Sequence, residues 1–195
     1  MDYFHLIIMR CFIGVPLPES VRRRLIKAQK CFSGVDARLT LVGLNNMHVS
    51  LHFLGEVDNL LKVNELLSGV KFNSFKASVK DVAFFPSRGY IRVIHSPVNL
   101  GRSEFVTLHS LVNESLNLSP EERFNPHVTL ARVKFVKSTN VLSRACFNER
   151  FEEIFDVNSF NAYCLTWQHS CAKILLISLK PSNLQTSILK LFKSL

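Results

Sequence analysis

Glycine is scarce in this sequence. Seven of 195 residues are glycine. None falls in a G-x-G-x-x-G or G-x-x-x-x-G-K-[ST] pattern, the loops whose backbone N–H groups cradle phosphates at a helix start. Dinucleotide-fold and P-loop nucleotide binding are set aside on that ground. Long apolar runs are also missing, since no stretch reaches the roughly 18 residues of a membrane-spanning helix. The opening "MDYFHLIIMR" has an acid at its second position and only a short apolar stretch, unlike a secretory signal. The expectation is a soluble, intracellular, cytoplasmic protein. Cysteine is limited to Cys11, Cys31, Cys146, Cys164 and Cys171. The number is odd and no pair is spaced C-x-x-C, so neither a disulfide framework nor a zinc site is expected. The cysteines are expected to pack as small hydrophobes. Low-complexity segments and linkers are absent, so no domain boundary is marked.

Acidic residues are few beside basic ones. Asp and Glu number 15 against 24 Lys and Arg, giving a net charge of +9 and a pI near 9.6. Such a field favours polyanions, RNA among them. The densest basic patch is "VRRRLIK" (Val21 to Lys27), read as the wet side of a helix rather than as an RNA clamp. Hydrophobic residues make up 47% of the chain, 16 of them Phe, enough for a large core.

Strands and helices alternate along the chain. "RCFIGVPLP" is a short strand stopped by prolines, and "PESVRRRLIKAQKCF" places Val21, Leu25, Ala28 and Phe32 at helical spacing. "RLTLV" and "MHVSLHFLG" read as strands, and "VDNLLKVNELLSGV" as a helix ending near Gly69. "FNSFKASVKDVAFF" favours strand, and "YIRVIHSPV" is a strand after a turn at "PSRG". "SEFVTLHSLVNESLNL" is a helix with Ser103 as its expected cap, and "STNVLSRACFNE" a helix capped by Ser138 or Thr139. "NPHVTLARVKFV", "IFDVNSFNAYCLTWQ" and "AKILLISLK" are strands, the last two joined by a turn at "HSCA". "SNLQTSILKLFKSL" closes the chain as a short helix.

One pattern occurs twice. "MHVSLHFLGE" begins at Met47, and "PHVTLARVKF" begins at Pro126. Each carries a His, an aliphatic residue, a hydroxyl residue and a Leu in that order. Strand side chains alternate faces with a period of two. His48 and Ser50 therefore share one face, and His127 and Thr129 share another. Val49, Leu51, Val128 and Leu130 point away from them and into a core. If the two strands lie side by side in a pseudo-symmetric fold, both imidazoles face one cleft. Near neutral pH one imidazole can accept a proton while the other donates one. The hydroxyls can hydrogen-bond phosphate oxygens. This is an acid–base pair that needs neither a metal nor another cofactor. A single His-x-Ser on a strand is commonly structural; two copies in corresponding places point to function.

These residues resemble a known group. "NNMHVSLHFLGEVDN" and "FNPHVTLARVKF" look like the paired H-x-[ST]-hydrophobic motifs of two-histidine phosphoesterases, in particular the RNA 2′,3′-cyclic phosphodiesterase (2′-5′ RNA ligase-like) branch. "MRCFIGVPLPESVRRRL" and "AFFPSRGYIRVIHSPV" resemble that family's opening strand and helix and its Phe-Pro turn. The resemblance runs from about Met9 to Lys180. It implies an α+β fold of two pseudo-symmetric lobes, each an antiparallel sheet with helices outside, flanking a central cleft. The whole of residues 1–195 would be one bilobal domain, with residues 1–8 an N-terminal extension and His5 outside the site. The resemblance implies His48 and His127 as catalytic residues and Ser50 and Thr129 as phosphate-binding residues. Arg132 stands where the family often has an Arg near the phosphate. Ideal alternation puts Arg132 on the face opposite His127, so it can serve only if the strand twists, bulges or ends there. Ser50 departs from the commoner Thr and keeps the oxygen.

The function so implied is hydrolysis of RNA 2′,3′-cyclic phosphate ends to a 2′-phosphate, with reversible 2′-5′ ligation as the reverse chemistry. The partner would be RNA and no membrane, and the protein a monomer. Two rival readings are an RNA-end binding protein with little turnover and a phosphodiesterase for small cyclic phosphates. Other residues receive blander readings. His52 shares the face of His48 and is expected at the rim. Phe53 could stack a base, though core packing is the stronger expectation. Arg88 and Tyr90 are turn residues without a role. His95, His109 and His169 are structural or solvent-facing, and Trp167 a half-buried anchor.

Overall fold

The structure is a computed structural model that describes residues 9–86, 90–119, 123–168 and 171–179, with the backbone alone described at Met9, 165–168 and 171–179. The expected N-terminal extension, Arg88, the Trp167 side chain, His169 and the C-terminal helix lie outside the described residues.

Strand β1 (Met9–Pro16) ends at its proline and leads into helix α1 (Glu19–Ala28). Glu19 lies in the first turn of α1 and Lys27 in the last, so both charges suit the helix dipole. Val21, Leu25 and Ala28 are buried, as their spacing predicts, and Phe32 follows on a short 3-10 turn, Gln29–Phe32. β2 (Ala37–Leu41) leads through a 3-10 turn at Leu44–Asn46 into β3 (His48–Val57). α2 (Leu60–Ser68) starts at Asn59, whose side chain accepts from the Lys62 amide at 2.9 Å. β4 (Phe75–Lys80), β5 (Ala83–Phe85) and β6 (Val93–Pro97) precede α3 (Arg102–Ser115). β7 (His127–Val136), α4 (Thr139–Ala145), β8 (Glu152–Val157), β9 (Phe160–Gln168) and β10 (Cys171–Leu179) complete the described chain.

All strand pairs are antiparallel. One sheet half runs β10-β9-β1-β3, and the other is built on β7, with β6 and β5 to one side and β2 also paired to it. The halves join where β3 meets β7, and that junction is a single residue pair, Val49 with Val128. On its other side β3 pairs with β1 from His48 to Val57, and β7 pairs with β6 and β2. The architecture is thus the expected α+β fold, with two antiparallel halves joined by the Val49–Val128 pair in one eight-stranded sheet. β4 and β8 form a separate two-stranded ribbon. One apolar cluster includes Ile13, Leu25, Val49, Leu51, Leu108, Val128, Leu130 and Leu142, so helices and both halves share it. Among the described residues no helix is long and apolar enough to cross a membrane.

Two expectations need correction. The cysteines do not remain apart: Cys11 is joined to Cys164 and Cys31 to Cys146. Their sequence separations, 153 and 115 residues, give no local spacing signal. Adjacent strands bring the first pair together, because Cys11 on β1 lies directly across from Cys164 on β9. The second correction concerns α3. Its cap is Gly101, and Ser103 lies inside the helix, donating to the Glu104 carboxylate at 2.8 Å. Gly101 has a left-handed φ of 78°, and a Cβ there would lie 2.7 Å from the Lys76 carbonyl oxygen. Geometry and closeness both demand glycine, which a propensity for polar caps does not anticipate. Gly101→Ala is expected to cost roughly 1–3 kcal/mol, the scale of a left-handed non-glycine residue. Thermal melting would measure it, with activity per folded molecule unchanged.

Candidate active site

The single β3–β7 pair decides where the repeated motifs meet. With Val49 across from Val128, the antiparallel register carried one residue either way sets His48 opposite Thr129 and Ser50 opposite His127. All four lie on the face away from the buried valines. Each is half-buried, whereas Val49, Leu51, Val128 and Leu130 are buried in the core.

The two motif strands are supported alike. Pro16 lies across from His48, Val15 from Val49 and Gly14 from Ser50. Pro97 lies across from His127, Ser96 from Val128 and His95 from Thr129. Both ladders then slip by one residue. Ile13 pairs with His52, so Leu51 is passed over, and Ile94 pairs with Ala131, so Leu130 is passed over. Each motif leucine is therefore a β-bulge, and a bulge reverses the alternation beyond it. On β7, Ala131 and Val133 become the buried residues and Arg132 is exposed on the side of His127 and Thr129. The bulge supplies the condition that ideal alternation denied to Arg132. On β3 the same reversal corrects two expectations. His52 leaves the face of His48 and stacks at 6.2 Å from His109 of α3. Phe53 is not in the core; it is 63% exposed, in the place that corresponds to Arg132.

Both motif imidazoles are oriented the same way. The Nδ1 of His48 donates to the Asn46 carbonyl at 2.8 Å, and that of His127 to the Asn125 carbonyl at 2.7 Å. Because a carbonyl offers no proton, this bond places the hydrogen on Nδ1 and leaves Nε2 for other partners. The Nε2 of His48 lies 3.0 Å from the Ser50 hydroxyl. The Asn-x-His that precedes each repeat was visible in the sequence, but the bond uses the backbone oxygen and does not require asparagine.

The rings around the histidines were not legible in the sequence. Phe12 stacks on His48 at 4.5 Å and on Tyr163 at 4.9 Å, and it lies 5.8 Å from Phe53. His127 meets the edges of Phe85 and His95, each at 5.1 Å, and these two stack on one another at 3.8 Å. His95, read as structural or solvent-facing, is 3% exposed and adjoins a motif histidine. Its counterpart in the other half is Gly14, where a Cβ would come 2.9 Å from the Val49 carbonyl oxygen and 3.1 Å from the His48 ring.

The basic run on α1 divides its work. Arg23 bonds to Glu19 one turn back, and Arg24 pairs with Glu149 at 2.7 Å and lies over the Phe151 ring at 4.2 Å. Arg22 reaches toward the Asn45 side chain at 3.4 Å, beside the loop that holds His48. Tyr90, read as a turn residue without a role, donates to the Lys134 carbonyl at 2.8 Å.

Burial lowers the pKa of both motif histidines from the ordinary 6.5. For His48 the bond to the Asn46 carbonyl opposes that, while the charges of His127 and Arg132 lower it further. For His127 the Asn125 carbonyl opposes burial. His95 falls to about 3, through burial and then the charge of His127. Two imidazoles within each other's field, with a cation and two hydroxyls nearby, can take a proton at one position and give one at another.

Comparison with known proteins shows the fold and the family of this chain. Solved phosphoesterases share the fold. The LigT protein of E. coli, in its complex with 3′-AMP, superposes with a TM-score of 0.69 at 20% identity, covering 88% of this chain and 98% of that one. The family profile "LigT like Phosphoesterase" matches residues 15–95. An RNA 2′,3′-cyclic phosphodiesterase of Methanocaldococcus jannaschii is 30% identical over 154 residues, 77% of this chain and 83% of that protein. One of Archaeoglobus fulgidus is 35% identical over 131 residues, 65% of this chain and 73% of that protein. The chain belongs to the RNA 2′,3′-cyclic phosphodiesterase family of two-histidine, LigT-like phosphoesterases.

The lowered pKa values set a pH dependence. Acid–base work needs one imidazole neutral and one protonated, and that combination peaks between the two pKa values. Both lie below 6.5 in the free protein. A pH profile of kcat/KM for cyclic-phosphate hydrolysis is therefore expected to be bell-shaped with its maximum on the acid side of 6.5. The kcat profile should lie at higher pH, because a bound phosphate anion stabilises imidazolium.

Proposed function

We propose that this protein hydrolyses RNA 2′,3′-cyclic phosphate ends to 2′-phosphates, using His48 and His127 as the acid–base pair and Ser50, Thr129 and Arg132 to hold the phosphate. The observation that carries this reading is the single Val49–Val128 pair, which sets the two His-x-hydroxyl motifs next to one another, close enough for the charge of His127 to act on His48. The Nε2 of one imidazole takes a proton from water as its oxygen attacks phosphorus. The Nε2–H of the other gives a proton to the departing 3′ oxygen of the ribose. One P–O bond forms, one breaks, and the ring opens to a 2′-phosphate and a 3′-hydroxyl. The two imidazoles end with their protonation states exchanged, and solvent resets them. The Arg132 guanidinium and the two hydroxyls face the charge that builds on the non-bridging oxygens.

Phe53 supports an oligonucleotide substrate. It is a large exposed aromatic beside the Phe12–His48 stack, a surface on which a base can stack. The net charge of +9 adds a field for phosphates beyond the reacting one.

Replacing His48 or His127 with Ala is expected to lower kcat by at least ~10²-fold, the low end for positioned acid–base groups, on an oligonucleotide with a cyclic-phosphate end. The wild-type rate should survive EDTA, because both proton-transfer groups are imidazoles. Full activity of His127→Ala, or binding without turnover by the wild type, would reject the reading.

A second measurement separates RNA from small cyclic phosphates. Rising salt should increase KM for the oligonucleotide more than for a cyclic mononucleotide, since distant phosphates bind by releasing counterions. Phe53→Ala should raise oligonucleotide KM by roughly 5- to 100-fold, the scale of a lost stacking contact. Equal salt dependence for both substrates would favour the small-molecule reading.

A further inference from the structure

Two buried polar side chains on the outer elements bond to the two bulged leucines. Gln29, 7% exposed at the end of α1, donates from Nε2 to the Leu130 carbonyl at 2.9 Å and to the Val42 carbonyl at 2.8 Å. His109, 3% exposed on α3, donates from Nδ1 to the Leu51 carbonyl at 2.8 Å. Its other ring nitrogen lies 3.0 Å from the Asn113 amide, and its ring stacks on Phe124 at 4.1 Å. Leu130 and Leu51 are the residues at which the two ladders slip. The leucine carbonyls, two residues past Val128 and Val49, thus receive a side-chain donor in both halves.

The bonds cross between the halves. α1 follows β1, the neighbour of β3, yet its Gln29 holds β7. α3 follows β6, the neighbour of β7, yet its His109 holds β3. A bulge can be placed at different residues of a strand, and each placement sends a different residue to the open face. A buried side-chain N–H aimed at a bulge carbonyl favours one placement, because the alternatives leave that hydrogen bond unmade; at Leu130 it acts beside the Val42 amide, which donates to the same carbonyl at 2.9 Å.

We propose that Gln29 and His109 are positioning residues for the reaction: each fixes, from the opposite half, the bulge that turns Arg132 or Phe53 toward the cleft. For Gln29 this rests on the reading of Arg132 as a phosphate-holding residue, and for His109 on the reading of Phe53 as a base platform.

The test uses the full chain, assayed well below each variant's Tm. Inorganic phosphate serves as a competitive inhibitor. Gln29→Met removes both donated bonds, and Gln29→Glu keeps the shape without the amide donor. Each is expected to raise the phosphate Ki about tenfold, the scale of one lost charge-assisted hydrogen bond. Neither should raise it further in an Arg132→Ala background. His109→Leu is expected to raise oligonucleotide KM with little change for a cyclic mononucleotide, and to add nothing to Phe53→Ala. His109→Asn, whose amide replaces the Nδ1 donor, should restore most of the loss. Hydrogen exchange gives a readout independent of activity. Gln29 variants should speed exchange at amides 131–133 and not at 52–53, and His109→Leu should do the reverse. An unchanged phosphate Ki with only a lower Tm would overturn the proposal for Gln29, as would equal fold-losses with and without Arg132. For His109, equal losses on both substrates would do so. If Arg132→Ala itself leaves Ki unchanged, the phosphate-holding reading of Arg132 fails, and exchange still decides the bracing: unaltered exchange at both bulges rejects it.

Discussion

The site depends on one contact, the pairing of Val49 with Val128. Two strands that paired along their whole length would form a continuous sheet, and their outward side chains would lie on a flat surface. Two strands that never touched would leave the histidines at unrelated distances. A single pair fixes the register of both motifs and lets the strands diverge immediately. Both valines are fully buried, so the register is held by the core, and a slip of one residue would bury an imidazole and expose an aliphatic side chain.

Burial that shapes the site also ties it to stability. Both motif histidines have pKa values lowered mainly by burial, so the unfolded chain binds protons that the folded chain resists. The stabilisation from keeping them neutral is complete above 6.5, their unfolded value, and is lost as pH falls toward the folded values. In the proposed mechanism, the proton that one imidazole carries is thus held against the preference of its surroundings. An incoming phosphate supplies the missing counter-charge.

Much of the site was legible in the sequence, because period-two alternation is a local property. It put His48 with Ser50 and His127 with Thr129, and it opposed them to the buried aliphatics. The same rule failed three residues later. His52, Phe53 and Arg132 lie beyond bulges at Leu51 and Leu130, and a bulge is set by partner strands and by donors distant in sequence. Apolar spacing placed the described helices and most strands, but "FNSFKASVKDVAFF" and "IFDVNSFNAYCLTWQ", each read as one strand, each span two, because both segments pass from the β4–β8 ribbon into the main sheet. The Gly101 cap was missed because its cause is the approach of Lys76, and the cysteine pairs because tertiary packing joins residues more than a hundred positions apart, across two strands for Cys11 and Cys164 and between the 3-10 turn after α1 and the end of α4 for Cys31 and Cys146. His95 and Tyr163 were out of reach for the same reason, since register alone places them near the imidazoles.

Gly14 and His95 occupy corresponding places in the two halves, and so do Phe53 and Arg132. A site with true two-fold symmetry would accept a cyclic phosphate in two opposed orientations of equal energy. Each orientation would present a different ribose oxygen to the proton donor, and the product would be a mixture of 2′- and 3′-phosphates. Here one imidazole rests in an aromatic stack above a glycine, and the other stands beside a second imidazole. One side ends in an aromatic ring and the other in a cation. The two orientations are no longer equivalent: unlike residues at matched positions remove the symmetry that a duplicated architecture would otherwise impose on a bound phosphate.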